Sequence, residues 1–148
     1  MELNIEKPDV VCFVCTANMA RSAMAESIFR CLGGGIETLS CGTHTVSGLP
    51  ITDNSKIVLN EKGYDCREHF STSYQDLDLK KSLILCMTRS QKAFLKSQYL
   101  NQEIFLITEL GSGESQDIED PVKGDLKKYR EVLEKLEYEI KLLISRFN

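Results

Sequence analysis

An α/β fold built on a parallel sheet is what this sequence predicts, and three observations predict it. Short apolar runs with β-branched residues, at 9–14, 36–41, 82–87 and 103–107, alternate with stretches rich in helix formers, at 23–32 and 52–62. Glycines stand where those helices must stop, at Gly33, Gly34 and Gly35 and again at Gly63. No internal repeat, low-complexity tract or linker divides the 148 residues, so one domain over 1–148 is expected. Alternating strands and helices favour right-handed crossovers, which lead to four parallel strands flanked by helices on both faces.

The elements follow in order. Residues 9–14 read as a buried strand, and the small or polar residues 15–22 join it to the helix at 23–32. A second strand at 36–41 precedes the helix at 52–62, and 82–87 is another buried strand. Thr88 and Gln91 then match a capping box, in which both side chains satisfy free amides at a helix start. A fourth strand at 103–107 leads into a loop at 111–121 and a long helix from about Asp125. Along that helix Leu126, Tyr129, Leu133, Leu136, Ile140, Leu143 and Phe147 recur by threes and fours on one face. Glu137 and Lys141 are spaced for a surface ion pair.

Composition narrows the partners. A net charge of −4 provides no basic patch for nucleic acid or an acidic membrane, so neither is expected. No apolar run approaches a membrane span, and residues 1–9 lack the apolar core of a secretory signal. Four of the six cysteines (Cys12, Cys15, Cys31, Cys41, Cys66 and Cys86) lie inside apolar runs, which favours free thiols and a cytoplasmic setting. His44 and His69 lack ligand spacing, so no metal site is expected and both are read as surface or capping residues. The stretch Gly111, Ser112, Gly113 is a loop without the pattern of a nucleotide fingerprint.

The loop after the first strand carries the chemistry. Thr16, Ala17, Asn18, Met19, Ala20, Arg21 and Ser22 follow Cys15 directly. Small and polar residues let backbone amides turn inward, and the start of the next helix adds its partial positive charge, which together make an anion site. Donors and Arg21 around Cys15 favour its thiolate, the nucleophilic form. Arg21 presents a planar fork that matches two phosphoryl oxygens. The Ser22 hydroxyl is placed to donate to the sulfur. Cys12 and Cys15 also form a Cys-x-x-Cys spacing, but across an extended strand the two sit roughly 10 Å apart, too far for a disulfide.

With Met24, Ala25 and Glu26 after it, this segment resembles the active-site loop of low molecular weight protein tyrosine phosphatases. The resemblance continues at Cys41, Gly42 and Thr43, at residues 83–87 and at Asp120-Pro121, and so covers nearly the whole chain. It implies a phosphorylated protein substrate, chiefly phosphotyrosine, no metal or organic cofactor, and phosphate or other oxyanions as product or inhibitors. It also implies Cys15 as nucleophile, Arg21 as phosphate clamp and Asp120 as general acid, with Asp117 and Glu119 as fallbacks. Pro121 restricts the backbone around that acid.

The chain departs from the family pattern at several positions. Ala17 stands where the family has Gly and must avoid a glycine-only conformation or bear about 1 kcal/mol or more of strain. Ala20 stands where many members have a second Cys, and Ala23 where they have Pro. Val46 and Val122 are the expected pocket walls, with no aromatic residue at either place. Three alternatives follow. A protein arginine phosphatase of the same family fits the 87–88 region and the 111–121 loop, but Met19 is bulkier than the Thr such enzymes have. An arsenate reductase needs further cysteines near the third strand, where only Cys86 stands unless Cys12 or Cys66 reaches Cys15. An inactive anion-binding relative should have lost Cys15, Arg21 or Asp120, and all three are present.

Overall fold

The four apolar runs form one parallel sheet of β1 (Val10–Cys15), β2 (Glu37–Gly42), β3 (Ser82–Cys86) and β4 (Ile104–Leu106), in the order β2-β1-β3-β4. The structure, a computed structural model, describes residues 4–64 and 68–147. Val10 pairs with Glu37 on one side and Ser82 on the other, which makes β1 a central strand. Side chains alternate across the sheet. Val11, Phe13 and Cys15 therefore join the core under α1 (Arg21–Leu32), α2 (Asp53–Glu61) and α5 (Leu126–Arg146). Cys12 and Val14 join the opposite core, beneath α3 (Arg89–Gln98). Because β2 and β3 lie on opposite sides of β1, the chain reverses its winding at the C-terminal end of β1, where such sheets bind ligands.

Local rules account for most boundaries. Gly33 ends α1, and Gly34 and Gly35 turn away with φ of 66° and 88°. Thr52 lies outside α2 as its N-cap, accepting a hydrogen bond from Ser55 N. The capping box of Thr88 and Gln91 starts α3 as predicted. β4 is shorter than the apolar run, because Glu109 accepts from Leu106 N at 2.7 Å and opens the four-residue helix α4 (Ile107–Leu110). Asp125 caps α5, whose Tyr129, Leu133, Leu136, Ile140 and Leu143 are buried, with Leu126 and Phe147 packed at the margin. Glu137 pairs with Lys62 at 3.7 Å and accepts from the Tyr64 hydroxyl, instead of pairing with Lys141.

The start of the 111–121 loop is pressed against α5. A Cβ on Gly111 would stand 2.4 Å from Glu139 Oε1 and 2.8 Å from the Glu139 carbonyl. Ser112 N donates to Glu139 Oε1 at 2.8 Å, and Arg146 Nε donates to the Gly111 carbonyl at 2.9 Å. Glu139 is fully buried, and its Oε2 and the Ser112 hydroxyl find no partner among the described residues. A buried carboxyl group with an idle oxygen lowers stability. Glu139→Gln keeps the acceptor and supplies a donor, so a thermal melt is expected to rise by about 2–4 °C. Gly111→Ala is expected to lower the melt, since the added carbon meets backbone.

Cys12, Cys15, Cys31, Cys41 and Cys86 are free thiols, and Cys66 lies outside the described residues. Cys12 Sγ is 3.8 Å from Cys41 Sγ, and that neighbour together with burial holds the Cys12 thiol well above the ordinary range. Burial does the same to Cys86. Neutral-pH alkylation of the native protein, followed by peptide mapping, should leave Cys12, Cys41 and Cys86 unmodified until the chain is unfolded.

Candidate active site

β1 ends at Cys15, and the following loop wraps its backbone around the sulfur. Asn18 N donates to Cys15 Sγ at 3.2 Å, and Ser22 Oγ lies 2.9 Å from it. The left-handed turn that this requires falls on Asn18, with φ of 59°, and not on Ala17. Asn tolerates that conformation, so Ala17 avoids the glycine-only region. α1 starts at Arg21, two residues before the boundary read from the sequence, and Ala20 provides no side-chain cap. A helix start without a side-chain cap can receive an anion on its first-turn amides.

The outer side of the loop is tied down. Asn18 Nδ2 donates to Ser22 Oγ at 2.7 Å and to Ser40 Oγ at 2.9 Å, while Asn18 Oδ1 accepts from Thr72 N at 2.8 Å. Ser40 donates to Glu26, which also receives Arg30. His69 Nε2 lies 2.8 Å from the Asn18 carbonyl, so that nitrogen carries the proton and donates. Its Nδ1 faces Glu26 at 3.7 Å. Thr43 N and His44 N donate to the carbonyls of Cys15 and Thr16, each at 3.0 Å. This close approach needs Gly42, since a Cβ there would stand 2.6 Å from the Thr16 carbonyl.

Arg21, 5% exposed, donates through Nη1 to the Ile118 carbonyl at 2.9 Å and approaches Asp120 Oδ2 at 3.5 Å. Ile118 is itself pinned by donation from its amide to the Met87 carbonyl at 2.8 Å. Asp120 Oδ1 accepts from Val122 N across Pro121 at 3.1 Å. The two fallback acids are engaged elsewhere. Asp117 accepts from Arg89 N at 2.8 Å, and Glu119 meets Lys128 at 2.5 Å.

Cys15, Ala17, Met19, Ala20, Arg21, Thr52, Asp120 and Val122 line one pocket. Of the expected walls, Val122 is present and Val46 is not. Val46 is 66% exposed, turned outward on a segment held by Ser71 Oγ donating to its carbonyl at 2.7 Å. Met19 and Thr52 line the pocket as well, joined by Thr52 N donating to the Met19 carbonyl at 2.9 Å. The side chains of Thr16, Asn18 and Ser22 do not line the pocket: Asn18 and Ser22 brace the loop from behind, and Thr16 Oγ1 accepts from Gln91. His69 is neither a cap nor a surface residue, which corrects the reading of it from sequence. His44 lies against Phe94 with ring centroids 4.7 Å apart and planes tilted by 53°. Glu26, Ser40, His69, Thr52 and Gln91 were not singled out as site residues. Glu26 carried a signal as part of the segment following the loop, and Gln91 only as half of a capping box. Cys12 and Cys86 belong to the core beneath α3, away from the Cys15 pocket. Among the described residues no three His, Cys, Asp or Glu side chains are grouped to hold a metal ion.

Residues 10–148 match the family described as low molecular weight phosphotyrosine protein phosphatase. The low molecular weight protein-tyrosine-phosphatase PtpB of Staphylococcus haemolyticus is 34% identical over 129 residues, covering 86% of this chain and 92% of that protein. The solved low molecular weight protein tyrosine phosphatase from T. tengcongensis superposes with a TM-score of 0.85 at 37% identity, over 93% of this chain and 98% of the other. The YwlE arginine phosphatase from Geobacillus stearothermophilus superposes with a TM-score of 0.86 at 29% identity, over 94% and 92%. With a match over nearly its whole length and the fold to go with it, the chain belongs to the low molecular weight phosphotyrosine protein phosphatase family.

Proposed function

We propose that this chain hydrolyses phosphomonoesters on proteins, with phosphotyrosine as the main substrate, and that Cys15, Arg21 and Asp120 carry the reaction. The observation that supports it most is their convergence: a sulfur that receives the Asn18 amide and lies against the Ser22 hydroxyl, a buried guanidinium and a half-exposed carboxylate share one pocket. The phosphoryl group sits on the loop amides from Thr16 to Ser22, with Arg21 across two of its oxygens. The Cys15 thiolate attacks phosphorus in line, the bond to the leaving oxygen breaks, and Asp120 delivers its proton to that oxygen. The resulting cysteinyl-phosphate is hydrolysed by water that gives a proton to Asp120, which releases phosphate and restores the thiolate. The amides and Arg21 act mainly on the transition-state charge. The free thiols fit a cytoplasmic setting, and among the described residues no helix is long and apolar enough to cross a membrane.

Phosphoarginine is the second reading. Among the described residues no aromatic side chain lines the pocket, so a phosphotyrosine ring gains no stacking partner from them. A protein-arginine-phosphatase of Geobacillus stearothermophilus is also 29% identical over 133 residues. Matched phosphotyrosine and phosphoarginine peptides, compared by kcat/KM, decide between the two.

Hydrolysis of p-nitrophenyl phosphate without metal and with a reductant tests the common chemistry. Turnover is expected in the wild type and absent in Cys15→Ser, which should still bind phosphate or vanadate. Turnover surviving in Cys15→Ser would sink the proposal. Asp120→Ala is expected to slow aryl phosphates with poor leaving groups by about 100-fold or more, and good leaving groups far less. Equal losses across a leaving-group series would remove Asp120 as the acid.

A further inference from the structure

Gln91 is 4% exposed, and both polar atoms of its side chain are in use. Oε1 accepts from Met87 N at 3.0 Å and from Thr88 N at 2.9 Å, closing the capping box of α3. Nε2 donates to Thr16 Oγ1 at 3.1 Å, a bond that no helix cap requires. A capping box accepts Glu or Gln at this place. Only Gln has the second function, because a carboxylate cannot donate.

That extra bond reaches a sensitive point. Thr16 directly follows Cys15, and its carbonyl already receives His44 N. At the other end, Met87 accepts through its carbonyl from Ile118 N, and the Ile118 carbonyl holds Arg21. One buried amide thus joins the loop that carries the sulfur to the junction that anchors the loop of Asp120. A carboxylate in its place would keep both cap acceptors, lose the donation to Thr16, leaving only a reversed bond from the Thr16 hydroxyl, and set a negative charge beside an anion site.

Resting on the proposed function above, we infer that Gln91 is a positioning residue: through Thr16 it holds the phosphate loop in register with the Asp120 loop, and its amide nitrogen is what the anion site requires. The test compares wild type, Gln91→Glu, Thr16→Val and the double variant. Thermal melts, vanadate affinity by calorimetry, and kcat and KM on p-nitrophenyl phosphate are measured for each.

Gln91→Glu keeps the cap, so its melt is expected within about 2 °C of wild type. Its vanadate affinity should fall about tenfold, as for loss of one bond bracing a charged site. kcat should fall by a similar factor with KM changed less than about threefold. Thr16→Val should show the same loss in affinity, and the double variant no more than the larger single loss, since both remove one interaction. Vanadate affinity of Gln91→Glu within about twofold of wild type would overturn the inference. So would losses that multiply in the double variant, because the new charge would then act without Thr16. The coupling is read from vanadate affinity. A wild type that binds vanadate without turnover would therefore defeat the proposed function while the affinities still decide the role of Gln91. A wild type that binds no vanadate defeats both.

Discussion

A loop can keep its inner amides free for an anion only if its outer groups are bonded elsewhere, and the rest of this site is organised around that constraint. Backbone amides left without partners are unstable unless the chain around them is held by other contacts. Here the Asn18 side chain does much of the holding, reaching Ser22, Ser40 and Thr72, while its carbonyl takes His69. The left-handed turn at Asn18 brings its own amide to the Cys15 sulfur. One residue therefore both shapes the inside of the loop and secures the outside.

The sheet explains why those partners are within reach. β1 lies between β2 and β3, so the loop at its end can be gripped from either neighbour. From the β2 side come Ser40, Gly42, Thr43 and His44, with Gly42 allowing the approach. From the β3 side come Met87 and, one turn into α3, Gln91. The uncapped start of α1 completes the cradle. Burial of Val11 and Phe13 under α1 and α5, and of Cys12 and Val14 beneath α3, fixes β1 from both faces.

Much of this was legible locally. The apolar runs of the strands, the Thr88 and Gln91 capping box, the glycine stops and the apolar stripe of α5 are short-range patterns, and each reads directly from residue spacing. The loop of Cys15 and Arg21 and the turn at Asp120 were singled out through residue pattern and family likeness, and the fold brings all three to one pocket. What failed was long-range. His69 reaches a carbonyl 51 positions away, and Gln91 a hydroxyl 75 positions away, neither with any mark in its neighbouring residues. Val46 was placed in the wall by its apolar character, yet the bonds of Ser71 and Ser47 turn that segment outward. The start of α1 was misread because the residue before it, Ala20, provides no side-chain cap that would mark the boundary in the sequence.

The anchoring of the Asp120 loop has a consequence for how substrates are discriminated. Asp117 is bonded to the first residue of α3, Ile118 to Met87 and to Arg21, and Asp120 to its own turn at Val122. On the function proposed above, the carboxylate already stands beside the guanidinium, so bringing those two groups together needs no closure. Discrimination by induced fit needs such a closure, in which the right substrate assembles the site. On that proposal, the choice among substrates falls to the static shape of the slot between Met19, Thr52 and Val122.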